Sequence, residues 1–188
     1  MDQLPFPQFL PKSDWVCPRL SELPSWKDAK RVAIDCETHD PHLLDLGIGV
    51  RRGGYICGVS FAIEDGPAYY LPVRHLENNL DPYQVFTYLQ DQAKDFRGDL
   101  VTANGPYDLD YLEEERVVFK PRFHRDIQVA QPLLNEHMRS YSMQAISEHW
   151  NVPGKDESLL GQAAAFYNVG PKTGMAKLPA RFVGPYAE

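Results

Sequence analysis

Residues 31–38 read RVAIDCET and residues 103–112 read ANGPYDLDYL. The first stretch decides the fold. Its run RVAIDC is short, mostly apolar and partly β-branched, the pattern of a strand buried in the middle of a sheet. Side chains alternate along a strand, so Asp35 and Glu37 leave from one face at its end while Cys36 points away. Burying two carboxylates there is costly unless they are paired or hold a cation, and hard cations such as Mg²⁺ take oxygen ligands. The spacing alone has little weight, because 15 Asp and 11 Glu in this chain make about one D-x-E by chance. The position at the end of a central strand carries more.

Working outward, residues 55–63 and 68–73 read as two more strands, joined by Glu64-Asp65-Gly66-Pro67, whose Asp-Gly marks a hairpin turn. Asp81-Pro82 is a helix start with a capping Asp and a first-turn Pro, and Val85, Phe86, Leu89, Ala93 and Phe96 follow at helical spacing. Residues 99–104 form a fourth strand. Gly105-Pro106 then opens a helix to about residue 116, with Asp108 in its first turn, where the helix dipole favours negative charge. A fifth strand at 123–127 precedes helices at 129–136, 142–150, 158–167 and from 179 onward. Three antiparallel strands followed by alternating helices and strands predict an α/β domain with a mixed five-stranded sheet, strands 1-2-3 antiparallel and helices on both faces.

The first 24 residues hold five prolines and no periodicity, so residues 1–24 read as an extended arm, pinned by Trp15, and residues 25–188 as one domain. With 43% hydrophobic and 24% charged residues the chain suits a single globular domain. No apolar run approaches the ~20 residues of a membrane span, and MDQLPFPQFL lacks the basic start of a signal peptide. Cys17, Cys36 and Cys57 are widely spaced and point to reduced thiols rather than a disulfide scaffold. The formal charge of -7 argues against a simple basic nucleic-acid module, yet it is uneven: residues 1–115 hold 20 acidic and 10 basic side chains, residues 116–188 hold 6 and 9. The carboxylates concentrated in the first part read either as a solvated acidic surface or as ligands for metal cations.

Asp35-x-Glu37-Thr38 and Asn104-x-x-Tyr107-Asp108-x-x-x-Leu112, in that order and on those elements, resemble the first two motifs of the DEDD exonuclease superfamily. More narrowly they are similar to the 3'-5' exonuclease (proofreading) domain of family A DNA polymerases. Asp126 in HRDIQVAQPLL and residues 141–146 resemble that family's next elements. The arm and the loops around Arg51-Arg52 and Gly184-Pro185-Tyr186 look most like bacteriophage-type members. The third motif is Y-x-x-x-D: Tyr186 supplies the tyrosine of the DEDDy branch, while its aspartate would fall two positions beyond Glu188.

The resemblance implies an RNase H-like (DnaQ-like) fold and two divalent cations, Mg or Mn, held by Asp35, Glu37 and Asp108. Tyr186 would hydrogen-bond the attacking water, and Thr38, Asn104, Tyr107 and Tyr111 would line the substrate path. The substrate would be single-stranded or frayed DNA, or a primer-template, cut from its 3' end to 5' nucleoside monophosphates. The polymerase part would lie in the same longer chain or a separate one, in the cytoplasm of a bacterial cell or phage-infected host. Without the fourth acid, activity of this chain is expected to be impaired. The alternatives are an RNase D-like exoribonuclease and a non-catalytic, polymerase-associated module. Tyr107 and Tyr111 at i, i+4 could stack a terminal base, but that spacing more often serves core packing. Lys120, Arg122, His124 and Arg125 could meet phosphates or form a solvated loop. The six histidines show no ligand spacing.

Overall fold

The computed structural model describes residues 9–188, and the part of the predicted arm in residues 1–8 lies outside the described residues. β1 (Arg31–His39) runs through the centre of a five-stranded mixed sheet. On one side it pairs antiparallel with β2 (Tyr55–Ile63), which pairs antiparallel with β3 (Ala68–Pro72); on the other it runs parallel to β4 (Asp99–Thr102), and β4 parallel to β5 (Phe123–Asp126). The order is β3-β2-β1-β4-β5, a mixed five-stranded sheet with β1, β2 and β3 antiparallel as the pattern of strands and helices predicts.

The two sides of β1 are unequal. Along β2 the pairing runs to His39, through an irregularity between Glu37 and Thr38, so the strand continues three residues past the predicted 31–36. Along β4 it covers only Arg31, Ala33 and Val32 between them. β4 stops at Thr102 because Asn104 turns the chain with a left-handed φ of 65° into α3 (Gly105–Glu114). The end of β1 therefore carries free backbone donors on the side where the first turn of α3 arrives.

Alternation sorts the sheet into two faces. Val32, Ile34 and Phe61 point into a core with Trp26, Phe96 and Leu100, roofed by Leu89 of α2 (Pro82–Asp95) and Leu112 of α3. Each such fully buried side chain contributes about 1.5–3 kcal/mol of transfer free energy. Tyr70 faces the other way and packs with Leu160 of α6 (Ser158–Phe166) and with Phe182 and Val183 of α7 (Ala180–Ala187). Helices thus lie on both faces.

Local capping sets the helix starts. Asp81 accepts from the Gln84 N–H ahead of Pro82, and Ser142 caps α5 (Met143–Trp150) through the Ala145 N–H. Asp126 ends β5 and caps α4 (Ile127–Leu134), which begins two residues earlier than the predicted 129 for that reason. A short helix α1 (Leu43–Leu46) was not foreseen; four residues are too few for a periodic signal.

The arm is tied to α7 by two contacts. Pro185 has no N–H to give to the carbonyl of Arg181 four residues back, and the hydroxyl of Ser13 donates to that carbonyl instead, at 2.5 Å. The ring of Trp15 lies on Gly184 so closely that a Cβ there would stand 2.2 Å from Cε2. Trp15 pins the arm as predicted, at the helix that carries Tyr186.

Candidate active site

At the open end of β1 three carboxylates meet. Asp35 and Glu37 leave from the face shared with Ser60 and Gly58. Gly58, opposite Glu37, has no room for a Cβ because the ring of Tyr70 fills that space. Asp108, 3% exposed, reaches across from the first turn of α3, and its Oδ1 accepts the free Cys36 N–H at 3.3 Å. The short pairing of β4 with β1, over three of the nine residues of β1, is what leaves that donor for Asp108.

A fourth charged group completes the cluster. The ammonium of Lys155, on the loop between α5 and α6, lies 2.7 Å from Asp35 Oδ2 and 3.4 Å from Glu37 Oε1. It also sits 4.6 Å from the centre of the Tyr186 ring. One ammonium does not neutralise three carboxylates. Burial, with the charge of Asp35, pushes Glu37 up to about 7 even against the attraction of Lys155, and burial with the charge of Asp35 pushes Asp108 up to about 8. Burial alone would lower Lys155, but Glu37 and Asp35 outweigh it and hold the ammonium above the ordinary lysine value. The Tyr186 hydroxyl is raised by burial and by Glu37.

Of these groups Asp35, Lys155 and Tyr186 line a cleft of about 480 Å³, together with Ser60 and Met143; Glu37 and Asp108 lie buried behind them. Among the described residues no three His, Cys, Asp or Glu side chains are gathered around one point as a metal cage. The donor chemistry would suit a hard divalent cation: the three acids offer carboxylate oxygens, Glu37 and Asp108 are penalised by burial, and Asp35 and Glu37 share the Lys155 ammonium.

The other predicted residues separate into two groups. Thr38 Oγ1 hydrogen-bonds the Tyr107 hydroxyl, and Tyr107 is half-buried beside the cluster. Asn104 is exposed at the strand-to-helix turn. Tyr111 is corrected: at 1% exposure, with its hydroxyl donating to Asp40 at 2.8 Å, it has no face to offer a base and belongs to the core. Asp126 takes no part in the cluster. It accepts from the backbone N–H groups of Gly105 (2.5 Å), Asn104, Gln128 and Val129 and from Thr102 Oγ1, and so staples the starts of α3 and α4. His75 is structural: Nδ1 donates to the Met175 carbonyl at 2.9 Å, which leaves Nε2 to accept from Tyr70. Lys155 was missed. It lies 120 residues from Asp35 in a Pro-Gly-Lys-Asp-Glu loop with no periodicity to reveal which way it points.

The sheet order and the helices on both faces are those of DnaQ-like nucleases. The fold resembles that of Brucella melitensis NrnC bound to pGG, with a TM-score of 0.54 at 17% identity over 88% of this chain and 69% of that one. It also resembles a structure described as the apo form of the nuclease, with a TM-score of 0.50 at 19% identity over 84% of this chain and 64% of that one. No protein-family model matches the chain. In sequence it is a homologue of part of a DNA-directed DNA polymerase of Pseudomonas phage M6, 58% identical over 180 residues, 94% of this chain and 27% of that protein. It is also similar to DNA polymerase DpoZ of Salmonella phage PMBT28, 27% identical over 156 residues, 83% of this chain and 23% of that protein. The chain thus spans about a quarter of the length of the phage polymerases it matches. No helix among the described residues is long and apolar enough to cross a membrane.

Proposed function

We propose that this chain is the 3'-5' exonuclease, or proofreading, domain of a family A DNA polymerase, acting on single-stranded or frayed 3' ends of DNA. The observation that carries the reading is the proximity of Asp35, Glu37 and Asp108 at the end of the central strand, where Asp35 lines the cleft and shares the Lys155 ammonium with Glu37. The nuclease-like fold and the phage polymerase homology support it.

In this reading Asp35, Glu37 and Asp108 would hold two Mg or Mn ions. Bound there, such ions would help generate hydroxide from water and stabilise the oxygen that leaves. The chain's own groups do the rest. Glu37 orients the attacking water and the Tyr186 hydroxyl hydrogen-bonds it. Thr38 and Tyr107, joined by their hydrogen bond, and the exposed Asn104 border the terminal nucleotide. Water adds to phosphorus, the bond to the 3' oxygen breaks, and a 5' nucleoside monophosphate leaves.

The test is degradation of 5'-labelled single-stranded DNA with Mg²⁺ or Mn²⁺, in this chain and in a longer polypeptide that contains it. The Asp35→Ala, Glu37→Ala double variant should lose the ladder of 3'-shortened products; an undiminished ladder would refute the site. A matched RNA oligonucleotide in the same assay separates a DNA enzyme from an exoribonuclease.

A further inference from the structure

Asp99, Phe123 and two arginines form a second charged constellation at the end of the sheet opposite the carboxylates. The Asp99 side chain is only 6% exposed, and it takes the Nε–H of Arg122 at 3.2 Å and of Arg125 at 2.7 Å. Each guanidinium spends one donor on Asp99; among the described residues their terminal nitrogens have no protein acceptor. Both stand over the ring of Phe123, at 4.9 and 5.4 Å, and that ring is 54% exposed. Beside them a cleft of about 530 Å³ is lined by Lys27, Lys30, Arg31, Arg97 and Arg122, with Asp28, Glu64 and Asp99 as its acids. With Arg125 the patch holds six cations against three acids, in a chain whose net charge is -7.

A solvated charged face does not need this construction. A buried carboxylate that fixes two guanidiniums by their Nε–H holds their outer forks in place before any ligand arrives, which cuts the ordering cost of binding. Such forks match phosphate oxygens bidentately. An exposed aromatic ring beside them gives a base a stacking face. Sheet register sets the distance from the proposed reaction: Asp99 pairs with Arg31, and Asp35 lies four residues further along the same face of β1, roughly 13 Å at the usual rise of a strand.

We propose that Arg122 and Arg125, oriented by Asp99, together with Phe123 and the Lys27–Lys30 rim, bind the phosphodiester backbone of single-stranded nucleic acid away from the end being processed. The choice of nucleic acid as ligand rests on the proposed function; the binding is measured apart from it. Fluorescence anisotropy of a fluorescein-labelled oligothymidylate, in EDTA so that nothing is hydrolysed, reads the affinity and its salt dependence.

The Arg122→Gln, Arg125→Gln variant should bind about tenfold more weakly, with the slope of log affinity against log salt shallower by about 1.4, two single-strand phosphate contacts. Adding Asp99→Asn removes the carboxylate that this variant strands, so a loss of binding with native circular dichroism cannot be charged to misfolding. Arg122→Lys, Arg125→Lys keeps the charge without the fork and should fall between. Lys27→Gln, Lys30→Gln, which leaves the Asp99 network intact, should weaken binding several-fold. Folded glutamine variants that keep the parent affinity and salt slope would overturn the proposal. Hydrolysis is read separately, through the Asp35→Ala, Glu37→Ala variant, so either site can fail alone.

Discussion

Lys155 and Asp35 form an ion pair across 120 residues of chain, Nζ to Oδ2 at 2.7 Å, with Glu37 on the other side of the ammonium at 3.4 Å. The lysine occupies the mouth of the acidic cluster, so it supports the pair while standing in the way of any other cation.

Lys155→Met should therefore act in two directions. The metal-free protein loses about 1–2 kcal/mol of stability in urea unfolding, since the pair is partly exposed. Mn²⁺ titrated by calorimetry binds about tenfold more tightly, a gain of about 1.4 kcal/mol. Weaker binding would mean that Lys155 orders the carboxylates rather than competing for them.

Asp126→Ala should cost about 2–3 kcal/mol, because it uncaps α4 and strands the Gly105 N–H at the start of α3. Burial pushes Asp126 up, but four backbone N–H donors outweigh it and hold the carboxyl below its ordinary value. A lowered carboxylate pKa stabilises above the unfolded value of 3.8 and is lost as pH falls through the folded one. Acid unfolding of the parent should thus show a component below about pH 4 that Asp126→Asn lacks.

His75 gives the second pH handle. Burial lowers its imidazole below the ordinary value of 6.5, so the folded form is neutral. Its contribution is complete above 6.5 and lost as pH falls through the lower folded value. Thermal melts from about pH 7.5 down to 5 should show a steeper fall for the parent than for His75→Gln.

Gly184→Ala should destabilise by about 1–3 kcal/mol, an overpacking cost, as the new methyl displaces the Trp15 ring. Tryptophan fluorescence should shift to the red as Trp15 becomes wetter. An unchanged spectrum and melt would show that the arm yields without loss.

Strand alternation made Asp35 and Glu37 legible as a pair, and the Gly105-Pro106 start made Asp108 legible in a first helical turn, because both rest on short-range geometry. Their meeting depends on β4 ending early, which follows from the left-handed Asn104 and from Asp126 across the sheet; neither leaves a periodic trace. Tyr107 and Tyr111 share a helix and a spacing, yet one borders the cluster and the other is core. The difference is set by Asp40, whose loop takes the Tyr111 hydroxyl. Lys155 was invisible for the plainest reason: a loop residue has no face until the fold supplies one.

The bond from Ser13 to the carbonyl that Pro185 leaves unpaired joins residues 168 positions apart. Such a contact closes late, because the chain between must order before the loop entropy is recovered. During synthesis from the N-terminus the arm waits for α7, and the Arg181 carbonyl of α7 waits for the Ser13 hydroxyl that stands in for the N–H Pro185 lacks. Tyr186 sits in that helix. The tyrosine end of the cleft is therefore expected to set last in folding, after the strand that carries the acids is already in place.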